Sequence, residues 1–224
     1  MRRLHILCEG QTEESIAREV ISPYFMNSTI YVTWSVHTTK RPAGGPSYKG
    51  GLSTWKKLVT EIRLLLQDPS ITLLSTLFDY YGLPSDVPGM RTRPIGSPYD
   101  RVAHVERAMA EAVHDRRFLP HLVLHEVEAW VLAGHDALGD LLGDRPLSQV
   151  VQRIVMEAHG AELVNEGPET APSKRLLNLI PRYRKTLDGP LVIADFGVDG
   201  VRKTCPHADA WFSALSDALE APRS

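Results

Sequence analysis

Ile71-Thr72-Leu73-Leu74-Ser75-Thr76-Leu77-Phe78-Asp79 is a largely apolar run closed by a carboxylate. A strand with one face on water alternates apolar and polar residues, whereas a strand covered on both faces does not. The run therefore predicts a central strand of a mainly parallel sheet over 71–78, with Asp79 at its carboxyl end. Upstream, Leu4-His5-Ile6-Leu7-Cys8 predicts a second short strand, and it too ends in an acid, Glu9, followed by Gly10. Between the two lies a helix signal in which Thr12 is the expected cap, Glu13 and Glu14 suit the positive end of the dipole, and Ile16, Val20, Ile21 and Phe25 form an apolar face. Ile30, Val32, Trp34 and Val36 then alternate with polar neighbours, the period of a strand.

Residues 42–51, rich in Gly and Pro, predict a loop, and apolar spacings of three and four from Leu52 to Leu66 predict a helix. Downstream of Asp79, the Pro/Gly-rich stretch 82–98 predicts a long loop. A helix over 99–115 and a fourth strand near 119–124 follow, the latter running into His125-Glu126-Val127-Glu128. Strands alternating with helices define an α/β fold with flanking helices. Beyond Trp130 the pattern turns helical, over 147–158, over 174–180 behind Ser173 as cap, and over 211–219. Residues 191–194 read as strand or helix. The expected organisation is an α/β core over 1–132 and a C-terminal helical lobe over 133–224 packed on it, or both as a single domain.

The chain has 224 residues and a formal net charge of −2, which argues against an indiscriminate nucleic-acid coat. The basic residues are clustered. Lys40, Arg41 and Lys49 lie in one basic stretch, and Lys174, Arg175, Lys185 and Arg202 in another; either is a candidate to line a phosphate backbone or simply a solvated face. Two cysteines, Cys8 and Cys205, suggest no disulfide framework and a cytoplasmic setting. The apolar run after Arg2 and Arg3 is too short for a signal peptide, and no stretch reaches membrane-spanning length.

Glu9 and Asp79 occupy the carboxyl ends of two strands, the edge where open parallel sheets bind ligands. Two carboxylates on one rim offer hard oxygens to Mg²⁺ or Mn²⁺. Gly10 leaves room for a metal or phosphate beside Glu9. The plain alternative is that Glu9 caps the next helix and Asp79 opens a turn. Glu126 and Glu128 share one face if the chain is extended there, and diverge if it is helical. Glu128, ahead of Ala129-Trp130-Val131-Leu132, is then the inward one, and Glu126 is left to pair with an arginine. His121, His125, Cys205 and His207 fit no recognised zinc spacing. The sequence also lacks a Gly-x-Ser-x-Gly elbow and a phosphate-cradling Gly-x-x-x-x-Gly-Lys loop.

The runs Glu9-Gly10-Gln11-Thr12-Glu13, Phe78-Asp79-Tyr80-Tyr81-Gly82-Leu83-Pro84, Arg117-Phe118-Leu119-Pro120, His125-Glu126-Val127-Glu128-Ala129, Asn165-Glu166-Gly167-Pro168, Ala171-Pro172-Ser173-Lys174-Arg175 and Cys205-Pro206-His207 resemble the signature blocks of a bacterial family catalogued as domain of unknown function 4276. That family in turn resembles the Toprim domains of overcoming-lysogenization-defect nucleases and of small phage-defence effectors paired with an ABC-type or AAA-type ATPase. The resemblance implies a Toprim-like sheet and a Mg²⁺- or Mn²⁺-dependent nuclease. Glu9, Asp79 and Glu128 would be metal ligands, Glu13 would support them, and Lys174 or Arg175 would stabilise phosphate charge. Toprim enzymes usually carry Asp-x-Asp, whereas Tyr81 stands here at the second aspartate, so a second ion would need another ligand, Glu126 being the candidate. Tyr80 and Tyr81 are expected either to stack on an unpaired base or to be core. Two further readings stay open: a non-catalytic subunit docking on the ATPase, and a one-metal phosphohydrolase of small molecules. The oligomeric state is open.

Overall fold

The computed structural model describes residues 1–27, 29–37, 52, 54–164 and 171–221. The expected loop over 42–51, the basic residues Lys40, Arg41 and Lys49, and the Asn165-Glu166-Gly167-Pro168 block lie outside these residues.

The central strand is where the apolar run predicts it. β1 (Arg2–Cys8) pairs in parallel with β2 (Ile30–Val36) on one side and with β3 (Leu73–Asp79) on the other. β3 in turn pairs in parallel with β4 (Phe118–Leu119) and β5 (Leu122–Val123). The expected single strand over 119–124 is thus split in two. Pro120, which has no N–H to give a ladder, stands at the break, so His121 sits between two short pairings. All these pairings are parallel, and the fold is α/β with flanking helices and a helical C-terminal region.

Helices cover both faces. α1 (Gln11–Ile16) runs through a π-helical turn (Ala17–Ile21) into α2 (Ser22–Phe25). Its N-cap is Gly10 rather than Thr12, because the Glu13 carboxylate accepts from the Gly10 N–H and so satisfies the first turn from within. On the opposite face, α3 (Trp55–Leu66) and α4 (Pro98–Val113) pack Leu58, Ile62, Val102, Val105 and Met109 against Leu7, Leu74 and Phe78.

The C-terminal region consists of α5 (Glu128–Ala133), α6 (His135–Leu142), α7 (Arg145–Glu157), a 3₁₀ turn (Ala161–Leu163), α8 (Pro172–Leu179), α9 (Asp188–Thr204) and α10 (Pro206–Glu220). Residues 191–194, open between strand and helix, fall inside α9. Ser173 lies one position inside α8, whose cap is Ala171. These helices are not an appended lobe with a core of its own. Leu4 and Ile6 of β1, Leu73 and Leu77 of β3, and Trp130, Ile193, Trp211, Phe212 and Leu219 form one continuous apolar cluster.

Candidate metal centre

β1 and β3 deliver their terminal acids to the same rim. A Glu9 carboxylate oxygen accepts from the Asp79 N–H at 3.0 Å. Asp79 Oδ1 accepts from the Val127 N–H at 2.9 Å, which ties the end of β3 to the residue between Glu126 and Glu128. Glu126 accepts from the Ser173 N–H, also at 2.9 Å, and Glu13 accepts from Gly10. Four carboxylates are thus chained to four backbone N–H groups. Each such charge-assisted bond contributes about 1.5–3 kcal/mol and leaves its carboxylate a second oxygen.

Glu128 is the most deeply buried member, with 1 % exposure at the first position of α5, and Glu13 is buried as well. Glu128 opens α5, while Glu126 lies just before the helix and accepts from α8, and both carboxylates still act on the same neighbours, Asp79 and Lys185. Lys185 Nζ lies 2.8 Å from Glu128 Oε1, while Glu128 Oε2 receives no hydrogen bond among the described residues.

The electrostatics follow from crowding. Burial raises the Asp79 carboxyl well above its usual range, and the charges of Glu13, Glu128, Glu9 and Glu126 push it the same way. Glu13 is lifted to about 7, first by burial and then by Glu9 and Glu128, against the lowering effect of its backbone hydrogen bonds. Glu9 is raised by burial, opposed by the Asp79 N–H, His37 and Lys185. Glu128 is raised by burial although Lys185 opposes it. Burial works to lower the Lys185 ammonium, but Glu128, Glu126 and Asp79 outweigh it, so Lys185 stays protonated to higher pH than usual.

The other expected site residues have varied surroundings. Lys174 is exposed in the first turn of α8, directly after the Ser173 that holds Glu126, and Arg175 follows it, half-buried. The Arg202 guanidinium is occupied by Asp209, Tyr24 and Ser213. Lys185, expected on a nucleic-acid surface, is the counter-charge of Glu128. Gly10, expected to clear space, uses its N–H on Glu13. Tyr80 is core, its hydroxyl accepting from Arg93, whereas Tyr81 is 47 % exposed.

The donor set is hard oxygen, suited to Mg²⁺ or Mn²⁺. The rim is nevertheless wider than a closed cage. Among the described residues, three side chains bring possible ligand atoms within 4.8 Å of one another at one place only, and they are Glu106, His121 and His207. Glu106 was not apparent from sequence because it stands among the many charges of a solvated helix. The signal available was its register: it falls on the buried stripe of Val102, Val105 and Met109.

Fold and rim together define a mainly parallel α/β protein with an acidic cluster at the carboxyl ends of its strands. The family model described as Domain of unknown function (DUF4276) matches residues 8–216, and the chain belongs to that family. No curated protein and no solved structure matches the chain.

Proposed function

We propose that this protein is a Mg²⁺- or Mn²⁺-dependent nuclease that hydrolyses phosphodiester bonds in DNA or RNA. The observation that carries this reading is the gathering of Glu9, Glu13, Asp79, Glu126 and Glu128 on one rim, with Lys185 alone paired to Glu128. Carboxylates held above their usual pKa by burial and by one another are stabilised by a divalent cation, and Glu128 Oε2, without a hydrogen bond among the described residues, is an oxygen fit to hold it. Glu9, Asp79 and Glu128 are the ligands, with Glu126 available for a second ion. A bound cation supplies Lewis acidity toward the phosphodiester. Glu13, which accepts from the Gly10 N–H beside Glu9, would support the ligands. Lys185, 2.8 Å from Glu128 Oε1, would neutralise negative charge on a phosphate at the rim.

The resemblance of the sequence blocks to Toprim effectors supports a cytoplasmic role in anti-phage defence beside an ABC-type or AAA-type ATPase. Tyr81 in place of a second aspartate, and the width of the rim, favour the other reading, a non-catalytic subunit that docks on such an ATPase. Cleavage assays on single- and double-stranded DNA and on RNA, with Mn²⁺ or Mg²⁺, separate the two. The expected result is cutting that chelator abolishes and that Glu9→Gln or Asp79→Asn reduces at least ~100-fold, with circular dichroism unchanged. Absence of cutting on every substrate, or full activity in both variants, overturns the nuclease reading.

A further inference from the structure

Among the described residues, the tightest gathering of metal-binding side chains is made of residues other than those of the acidic rim. His121 comes from the break between β4 and β5, Glu106 from α4, and His207 from the first turn of α10. Glu106 Oε1 lies 3.0 Å from His207 Nε2 and 3.4 Å from His121 Nδ1. Zinc bonds to nitrogen and oxygen of about 2.0–2.2 Å place neighbouring ligand atoms about 3.3 Å apart in a tetrahedral shell, so these separations are those of a coordination polyhedron.

The surroundings hold each side chain in place. The Leu122 N–H donates to Glu106 Oε1 at 2.8 Å, and the His207 ring is hydrogen-bonded to the Leu122 backbone as well. Backbone hydrogen bonds to a carboxylate and to an imidazole are characteristic of metal-bound groups. His121 lies flat on Trp211, ring centroids 4.2 Å apart and planes 5° from parallel, which fixes its orientation. Charge is balanced too. Glu162, 1 % exposed, accepts from the His207 and Ala208 N–H groups at the start of α10. Together with Glu106 it supplies two negative charges beside a divalent cation. The Glu106 and His207 side chains keep 16 % and 11 % exposure, so the triad is not fully sealed from the surface.

We infer that Glu106, His121 and His207 form a site for one divalent transition-metal ion of the zinc class, separate from the acidic rim, that fastens α10 to α4 and to the β4–β5 break. Two imidazoles and one carboxylate select such an ion over Mg²⁺, which prefers oxygen and water.

The test titrates chelator-stripped full-length protein with Co²⁺ in excess Mg²⁺, reading the visible ligand-field absorption, and then displaces the cobalt with Zn²⁺. Wild type and Glu9→Gln are each expected to bind one equivalent with the strong bands of a low-coordinate site. His207→Asn and Glu106→Gln are each expected to weaken binding at least tenfold, and Zn²⁺ to raise the thermal midpoint of wild type but not of His207→Asn. His207 is partly exposed, so its variant decides the matter even if Glu106→Gln does not fold. Absence of cobalt bands in wild type, or unchanged affinity in His207→Asn, overturns the site and leaves a hydrogen-bonded triad without an ion. Because Glu9→Gln is included, failure of the nuclease reading and failure of this site are seen separately.

Discussion

His5 lies on β1 with both ring nitrogens engaged, Nδ1 with Thr33 Oγ1 at 2.8 Å and Nε2 with Ser35 Oγ at 2.9 Å. Burial, reinforced by the Arg3 charge and only partly offset by Asp68, lowers its pKa from 6.5 to about 4. In the unfolded chain the same imidazole takes a proton near 6.5. The folded protein therefore binds fewer protons between pH 6.5 and about 4, and stability falls as pH falls through that window. Above pH 6.5 the contribution is fully present. Compared with His5→Gln, wild type is expected to lose up to about 1.4 kcal/mol per pH unit across the window. Urea denaturation of both proteins at pH 7.5, 6 and 5 measures the difference, and parallel profiles would contradict it. His5 carries no sequence mark of this behaviour, since Thr33 and Ser35 are remote in the chain and meet it only through the register of β1 on β2. Glu9 and Asp79 were legible because a strand end is a position that a sequence pattern states. Glu106, Glu162 and the Lys185–Glu128 pair depend on helix packing that no local pattern states.

Among the elements, the strands were legible because their periodicity is a direct consequence of what covers them, one face for β2 and two for β3. What the pattern missed were interruptions: Pro120 between β4 and β5, and a break within α9. At Gly197 the backbone adopts φ 76° and ψ 158°, a region that essentially only glycine enters. A Cβ at this position would meet nothing within 4 Å, so any cost of substitution is conformational rather than steric. Gly197→Ala and Gly197→Ser are accordingly expected to destabilise the protein equally, by about 1–3 kcal/mol. Thermal denaturation should show a midpoint lower by roughly 2–4 °C for each kcal/mol. A midpoint unchanged in either variant would mean that the break in α9 straightens at no cost.

At the scale of the molecule, the decisive fact is that the C-terminal helices complete the core of the sheet. Trp211 of α10 donates its indole N–H to Ser75 Oγ on β3 at 2.9 Å, and Ser75 donates onward to the Leu119 carbonyl. Arg2, at the start of β1, donates to the carbonyl of Leu219 near the end of α10. Between them, Phe25 stacks on Phe212, and His121 lies against Trp211 and Trp130. Removing residues 133–224 would expose the apolar faces of β1 and β3 and leave the buried Ser75 hydroxyl without Trp211. At roughly 25 cal/mol per Å² of apolar surface, about 600 Å² of lost cover already equals the upper end of the 5–15 kcal/mol that holds an ordinary domain together. A chain ending at residue 132 is therefore expected to be unfolded or aggregated, and the full chain to unfold in one step. Far-ultraviolet circular dichroism reports the whole chain, while tryptophan fluorescence reports Trp130 and Trp211 in the shared core together with Trp34 packed against it and Trp55 packed against the cluster on the opposite face. Coincident urea midpoints and slopes from the two signals are the expected result, and a truncated chain with native-like dichroism and its own sharp transition would show that the sheet stands without its helices.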